Sequence, residues 1–155
     1  MIPCTDFIPA YSELFKYIEG RAGKDGVGEY WAYISDNYVK GRLGRLASEK
    51  GIVGCWEYWH RALNEEAADF SMSVDEGAGR LTIEMRRCPS KGLLLESGHI
   101  EPYHDYCGHC DLLYRRALEP LGFAYSIDLS ETHRAACKIT VEDTRARGER
   151  VTPHI

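Results

Sequence analysis

The sequence lacks the features by which nucleic-acid-binding and membrane proteins are usually recognised. It has no block of lysines and arginines, and its formal net charge is −5, so we do not expect a nucleic-acid backbone as the main partner. No apolar run approaches the roughly 18 to 20 residues that a membrane-spanning helix needs, so we expect no membrane partner. The first residues, Met1 to Phe7, lack the basic start and apolar core of a secretory signal. We therefore expect a cytoplasmic protein.

A phosphate-binding loop is also missing. Gly23, Gly26 and Gly28 are closely spaced, but no strand precedes them and no Gly-Lys-Ser/Thr follows, which favours a flexible connection between helices. The composition, with 44% hydrophobic and 28% charged residues, is that of a globular protein. A chain of 155 residues is most simply a single domain, with a core large enough to fold without a disulfide or a metal. A soluble enzyme or small-ligand protein fits best, and we keep a homo-oligomer open.

The hydrophobic pattern changes along the chain from helical to strand-like. Three stretches carry apolar side chains at steps of three and four and predict helices: 7–20, 29–49 and 52–68. Four stretches alternate apolar and polar residues and predict two antiparallel hairpins: 70–74, 81–85, 125–129 and 137–141. A further helix is predicted between the hairpins, beginning at about Tyr103 or Cys107 and ending near Leu118.

These elements predict an α+β fold. Its antiparallel sheet has about four strands from two hairpins, with an N-terminal group of helices and one helix between the hairpins. We expect residues 1–68 to be mainly helical and residues 69–142 to form hairpin, helix and hairpin. The charged stretch 143–155 has no apolar period and is expected to be a polar tail.

Six cysteines are the most distinctive part of the composition. Without an export signal they are expected to stay reduced and to serve as packing groups, metal ligands or reactive thiols. Cys107 and Cys110 form a Cys-x-x-Cys pair, and Cys88 sits at the end of a predicted strand, where side chains reach open space. Cys137 faces inward with the apolar residues of its strand, which favours core packing.

The first chemical interpretation of this region is a zinc site. Tetrahedral zinc takes cysteine thiolates and histidine nitrogens, and one Cys-x-x-Cys turn can direct two sulfurs at one ion. The expected ligands are Cys88, Cys107, His109 and Cys110. If the helix already includes residue 104, its geometry favours His104 over His109 as the companion of the cysteines. If the helix begins later, His109 is again a candidate.

The second interpretation is a reactive thiolate, and packed cysteines without chemistry are the third. A cysteine nucleophile needs its pKa lowered by a helix N-terminus or a neighbouring imidazolium. In this case Cys107 attacks, His104 acts as general base or acid, and Asp111 orients the imidazole; Cys110, His109 and Asp105 are the alternatives for these roles. Three tyrosines can supply hydroxyl groups to a bound substrate: Tyr103, Tyr106 and Tyr114.

Several short motifs between residues 60 and 142 carry a family resemblance. They are Cys88-Pro89 after the first hairpin, the helix start Tyr106-Cys107-Gly108-His109-Cys110-Asp111, the turn 118–123 and the last strand 137–141. Together they resemble the L-2-amino-thiazoline-4-carboxylic acid hydrolase-like family, and the layout is also similar to 4-vinyl reductase-type small-ligand domains. The resemblance implies an α+β fold and hydrolytic opening of a small cyclic C–N substrate.

The sequence therefore leads to two functional hypotheses. The first is a cytoplasmic hydrolase-like enzyme that acts on a small polar substrate through a Cys/His cluster, which binds a metal such as zinc or provides a thiolate. The second is a nonenzymatic sensor module for a small ligand or metal, with a structural Cys/His metal site. A catalytic site keeps a coordination position for water, whereas a structural site is closed by four protein ligands.

Overall fold

The N-terminal part of the protein is helical, as predicted. In the computed structural model, which describes residues 6–146, α1 spans Phe7–Ile34, a π-helical segment spans Ser35–Gly44, and α2 spans Arg45–Glu65. Two glycines with positive φ interrupt these helices, Gly23 at +70° and Gly51 at +62°. Only Gly23 leaves helical geometry in the predicted glycine loop, so that connection is a kink and not an extended loop.

The sheet has four antiparallel strands, which confirms the predicted α+β fold. The strands are β1 (Asp69–Asp75), β2 (Arg80–Arg87), β3 (Phe123–Asp128) and β4 (Cys137–Asp143). They are ordered β1-β2-β4-β3, so β4 lies between β2 and β3. The antiparallel pairing of β2 with β4 sets Met85 opposite Cys137, and therefore the end of β2 lies beside the start of β4.

Two helices connect the hairpins, one more than predicted. Helix α3 spans Pro89–Glu96 and α4 spans Gly108–Leu118. Helix α3 follows the usual rule for a helix start, because Cys88 is its N-cap and proline occupies the first helical position. Helix α4 begins only at Gly108, so residue 104 is not part of it. The condition that favoured His104 as a helical neighbour of the cysteines is therefore not met.

The core lies between the sheet and the helices. Helix α2 packs on β1, β2 and β4, α4 packs on β3, and α1 and the π-helical segment cover α4. The inward side chains of the two central strands are almost fully buried: Leu81, Ile83, Ile139 and Val141. Across residues 6–146, no helix is long and apolar enough to cross a membrane. Most of the predicted polar tail, residues 147–155, and Cys4 lie outside the described residues.

Candidate functional site

Cys88 connects the end of β2 to the start of α3. Its backbone N–H donates to the carbonyl of Ala135 at 2.7 Å, which ties this corner to the residues just before β4. Its sulfur accepts the backbone N–H of Lys91 at 3.5 Å, in the first turn of α3. The sulfur thus lies at a helix N-terminus, where the backbone N–H groups favour negative charge.

Cys107 and Cys110 lie at the start of α4. Cys107 is the residue immediately before the helix, and the N–H of Cys110 donates to its carbonyl at 3.2 Å. Both side chains are half-buried, as is that of Cys88. The charges of Cys88 and Cys110 both contribute to the raised pKa of Cys107, so the three sulfurs lie within electrostatic range of one another. We call Cys88, Cys107, Cys110 and His109 the Cys/His cluster.

His109 is oriented by the backbone and faces Cys110. Its Nδ1 lies within hydrogen-bond distance of the carbonyl of Tyr106, and its Nε2 lies 3.5 Å from the Cys110 sulfur. A carbonyl only accepts, so Nδ1 carries the proton and the Nε2 lone pair is directed towards the thiol. Burial, the largest influence, lowers the pKa of His109 and favours the neutral imidazole. A neutral imidazole with a free Nε2 can accept a proton or bind a metal.

Burial keeps the thiols of the cluster protonated. It is the largest cause of the raised pKa of Cys107 and of Cys110, each of which rises to about 12. Burial also raises the pKa of Cys88, although the N–H of Lys91 opposes this. A nucleophilic cysteine needs the opposite shift. Without a cation, the arrangement therefore disfavours a free thiolate.

The structure adds a fourth cysteine that the sequence interpretation assigned to core packing. Cys137 is the first residue of β4 and is half-buried. Burial, followed by the charges of Cys110, Cys88 and Cys107, raises its pKa to about 12, so it lies within electrostatic range of the other three. In the sequence, the available signal for Cys137 was its position at the start of a predicted strand. That it lies near the other cysteines could be recognised only from the pairing of β4 with β2.

Two of the residues predicted for thiolate catalysis have other partners. His104 Nε2 lies 3.0 Å from a carboxylate oxygen of Glu19 on α1. Asp111 accepts from Arg115 at 2.6 Å, in an ion pair one helical turn apart. The structure therefore does not join His104 and Asp111 to Cys107, and the imidazole nearest to a cluster thiol is that of His109.

The three predicted ligand-binding tyrosines occupy different environments. Tyr103 is buried and its hydroxyl donates to Glu19 at 3.2 Å. The ring of Tyr114 packs edge-on against that of Tyr58, with centroids 6.3 Å apart, and Tyr114 lines a separate groove of about 530 Å³. Tyr106 lines a cavity together with His109, a member of the Cys/His cluster.

This cavity is mainly apolar and has a few polar groups. Its volume is about 390 Å³, and its apolar walls include Phe7, Ile8 and Leu14. The polar side chains that line it are Tyr11, Ser90, Tyr106 and His109. Small-molecule sites commonly combine apolar walls with a few convergent polar groups in this way. We call it the His109 cavity.

The donor chemistry of the cluster fits zinc, which prefers thiolates and imidazole nitrogens. The positions of these side chains, however, do not form a metal site. Within residues 6–146, no group of three or more His, Cys, Asp or Glu side chains is arranged to hold one metal ion as it stands. Metal binding by this cluster is therefore an expectation from its donor chemistry and not an arrangement that the described residues display.

Comparison with known proteins does not identify a relative. No family model matches the chain, and no curated protein or solved structure matches it significantly. The resemblance to the hydrolase-like family thus stays an expectation based on motifs. Function is therefore inferred from the geometry of the Cys/His cluster and the His109 cavity.

Proposed function

We propose that the protein is a hydrolase-like enzyme whose Cys/His cluster binds a soft divalent metal such as zinc. The observation that carries the proposal is the orientation of His109, whose unprotonated Nε2 lies 3.5 Å from the Cys110 sulfur, while three further thiols lie within electrostatic range. The raised pKa values favour this version over a free thiolate. A metal ion reverses their effect, because it deprotonates the thiols that coordinate it.

The expected ligands are Cys88, Cys107, His109 and Cys110. In a catalytic site three of these four would hold the ion, and the vacant fourth position would take a water molecule whose pKa the ion would lower. The protein itself contributes the orientation of the imidazole, through the carbonyl of Tyr106, and low exposure of the sulfurs. Outer hydrogen bonds of this kind fix the tautomer of a ligating histidine.

The His109 cavity is the proposed binding site for the substrate. A compact ring with a few polar atoms suits a cavity of about 390 Å³ with apolar walls and the hydroxyls of Tyr11, Ser90 and Tyr106. This matches the substrate class that the family resemblance implies, a small cyclic amide or amidine. The cytoplasmic location of the protein and its assembly into a homo-oligomer also remain predictions.

Metal analysis tests the proposal most directly. Protein purified without chelator should contain about one zinc per chain, and Cys110→Ser and Cys107→Ser should each lower the zinc content strongly. Cys55→Ala is the matched control, because Cys55 is also buried but its electrostatic neighbours are Asp143 and Arg145 and not the cluster. No stoichiometric metal in the wild type, or equal loss in the control, would contradict the proposal.

A structural metal site is the second candidate function. The cluster joins the end of β2 and the start of α4, and Cys88 is tied to the residues before β4, so a bound ion would cross-link separate parts of the fold. A structural site predicts cooperative unfolding when a chelator removes the metal. The enzyme predicts instead that metal-free protein stays folded, and that His109→Gln abolishes hydrolysis of a cyclic amide or amidine found by screening.

A further inference from the structure

A second concave site lies between the π-helical segment, α2 and α4. It is the groove of about 530 Å³ that Tyr114 lines, and its volume exceeds that of the His109 cavity, about 390 Å³. The two sites have no lining residue in common, and no residue of the Cys/His cluster lines the groove. A ligand in the groove would therefore contact none of the cluster side chains. We call this site the Arg45 groove.

The walls of the Arg45 groove are apolar and aromatic. Val39 and Leu113, which are 3% and 7% exposed, line it from the π-helical segment and α4. Tyr58 and Tyr114 line it with rings that pack edge-on against each other, and Trp59 also packs against Tyr114, with ring centroids 5.1 Å apart. The aromatic ring of a ligand can pack on such walls edge-on or offset-stacked.

Three arginines line the groove, and two of them have no carboxylate partner in the part of the chain that the structure describes. Arg61 forms an ion pair with Glu65 at 2.9 Å. Arg42 donates to the hydroxyl of Tyr38, a neutral acceptor. Arg45, which is exposed, makes no hydrogen bond, ion pair or ring contact within residues 6–146. Arg42 and Arg45 therefore bring positive charge to the groove that an anionic ligand can neutralise.

Acidic side chains limit how much negative charge that ligand carries. Three glutamates also line the groove: Glu57, Glu65 and Glu66. Lys50 binds the carboxylate of Glu57 at 2.7 Å, and Arg61 binds that of Glu65. Because repulsion grows with the charge of the ligand, a dianion such as a phosphate monoester meets more of it than a monoanion does. The charges of the groove thus favour a monocarboxylate.

The helix geometry at the groove is a second, independent sign of a binding site. Tyr38, Val39 and Arg42 line the groove and belong to the π-helical segment, which spans ten residues. Most π-helical stretches in proteins are single turns, and they are frequent at functional sites. This unusual segment supplies part of the wall and one of the two arginines that lack a carboxylate partner.

We propose that the Arg45 groove binds a small aromatic monocarboxylate. The carboxylate lies on the guanidinium groups of Arg45 and Arg42, and the ring packs on Tyr58 and Tyr114. A guanidinium offers two parallel N–H donors that match the two oxygens of a carboxylate, and such charge-assisted hydrogen bonds are strong. The inference needs no metal and is independent of the function proposed for the Cys/His cluster.

Hydrocinnamate, a phenyl ring on a short carboxylate chain, is the probe, and isothermal titration calorimetry measures its affinity. For a ligand of this size we expect one site per chain with a Kd of about 1 mM or below. The neutral amide of the same acid should bind at least about 10-fold more weakly, because it loses the charge-assisted hydrogen bonds. Arg45→Gln should weaken hydrocinnamate binding by at least about 10-fold. Arg45→Lys, which keeps the charge and loses the fork, should give an intermediate affinity.

Arg21→Gln is the matched control. Arg21 is an exposed arginine on α1 that contacts the ring of Tyr17 and does not line the groove. This variant should bind hydrocinnamate as the wild type does, and circular dichroism should show both glutamine variants folded. In the wild type, hydrocinnamate should shift the backbone amide resonances of Tyr38, Tyr58 and Tyr114.

Four results would overturn the inference. They are absence of saturable hydrocinnamate binding, equal affinity for the amide, equal weakening by Arg21→Gln and Arg45→Gln, and resonance shifts confined to residues outside the groove. Tighter binding of phenyl phosphate than of hydrocinnamate would overturn the choice of a monocarboxylate. None of these results depends on the zinc content of the protein, so they are distinguishable from failure of the proposed metal-binding function.

Discussion

The hydrogen bond between Ser12 and Tyr103 connects α1 to the loop that leads into the Cys/His cluster. Ser12 is fully buried, and its Oγ accepts the backbone N–H of Tyr103 at 2.8 Å. Ser12→Ala removes the acceptor and leaves the N–H buried and unpaired, which costs about 1 to 3 kcal/mol. With a urea slope of about 2 kcal/mol per M, a loss of about 2 kcal/mol lowers the unfolding midpoint by about 1 M.

Urea denaturation followed by circular dichroism measures this change, and hydrogen exchange of the Tyr103 amide reports the same bond locally. The amide should exchange faster in Ser12→Ala than in wild type. Ser48→Ala is the control, because Ser48 is exposed on α2 and such a surface change is expected to stay within about 0.5 kcal/mol. If both variants unfold at the same urea concentration, Ser12 does not hold this loop.

Three further predictions concern backbone, charge and thiol chemistry. Gly51→Ala should destabilise the protein by about 1 kcal/mol, because the φ of Gly51 is +62°. Gly20→Ala should instead stabilise it by about 0.5 to 1 kcal/mol, because Gly20 lies inside α1 with open space at its Cβ. Urea titrations measure both changes. The hydrogen bond from Arg116 lowers the pKa of Asp36. The ionised Asp36 carboxylate therefore stabilises the folded protein above about pH 4, and this stabilisation is lost as the pH falls. Asp36→Asn should reduce the loss of folding stability on acidification. Burial raises the pKa of Cys110, so iodoacetamide at pH 7.5 should label this thiol in folded, metal-free protein at least about 100-fold more slowly than in protein unfolded in urea. Mass spectrometry measures the labelling. Rapid labelling of the folded protein would indicate an activated thiolate.

Local patterns explain why the fold class could be predicted. Alternation of apolar and polar residues depends only on strand geometry, so Leu81, Ile83 and Ile139 identified buried strand faces before any partner was known. The helices were less completely predicted. Gly26 and Gly28 look like loop residues, yet they continue α1, because the packed helix overrides their weak local preference. Helix α3 was missed because its eight residues are too few to show a clear period.

The candidate site, too, could be predicted only in part from the sequence. The chain itself determines that Cys107, His109 and Cys110 are neighbours, because they are adjacent in one turn. It could not determine which histidine faces a thiol, since that depended on where α4 begins. The helix start at Gly108 and the carbonyl of Tyr106 direct His109 to Cys110, while Glu19, on a distant helix, binds His104.

The sequence by itself determined the α+β class, the alternating strand faces and the concentration of thiols and imidazoles between residues 88 and 110. These properties follow from composition and from interactions over a few residues. Only the tertiary structure decided that Cys137, at the start of β4, lies beside the end of β2 that leads to Cys88. This depends on the pairing of β4 with β2, which is a contact between residues far apart in the chain and leaves no local pattern.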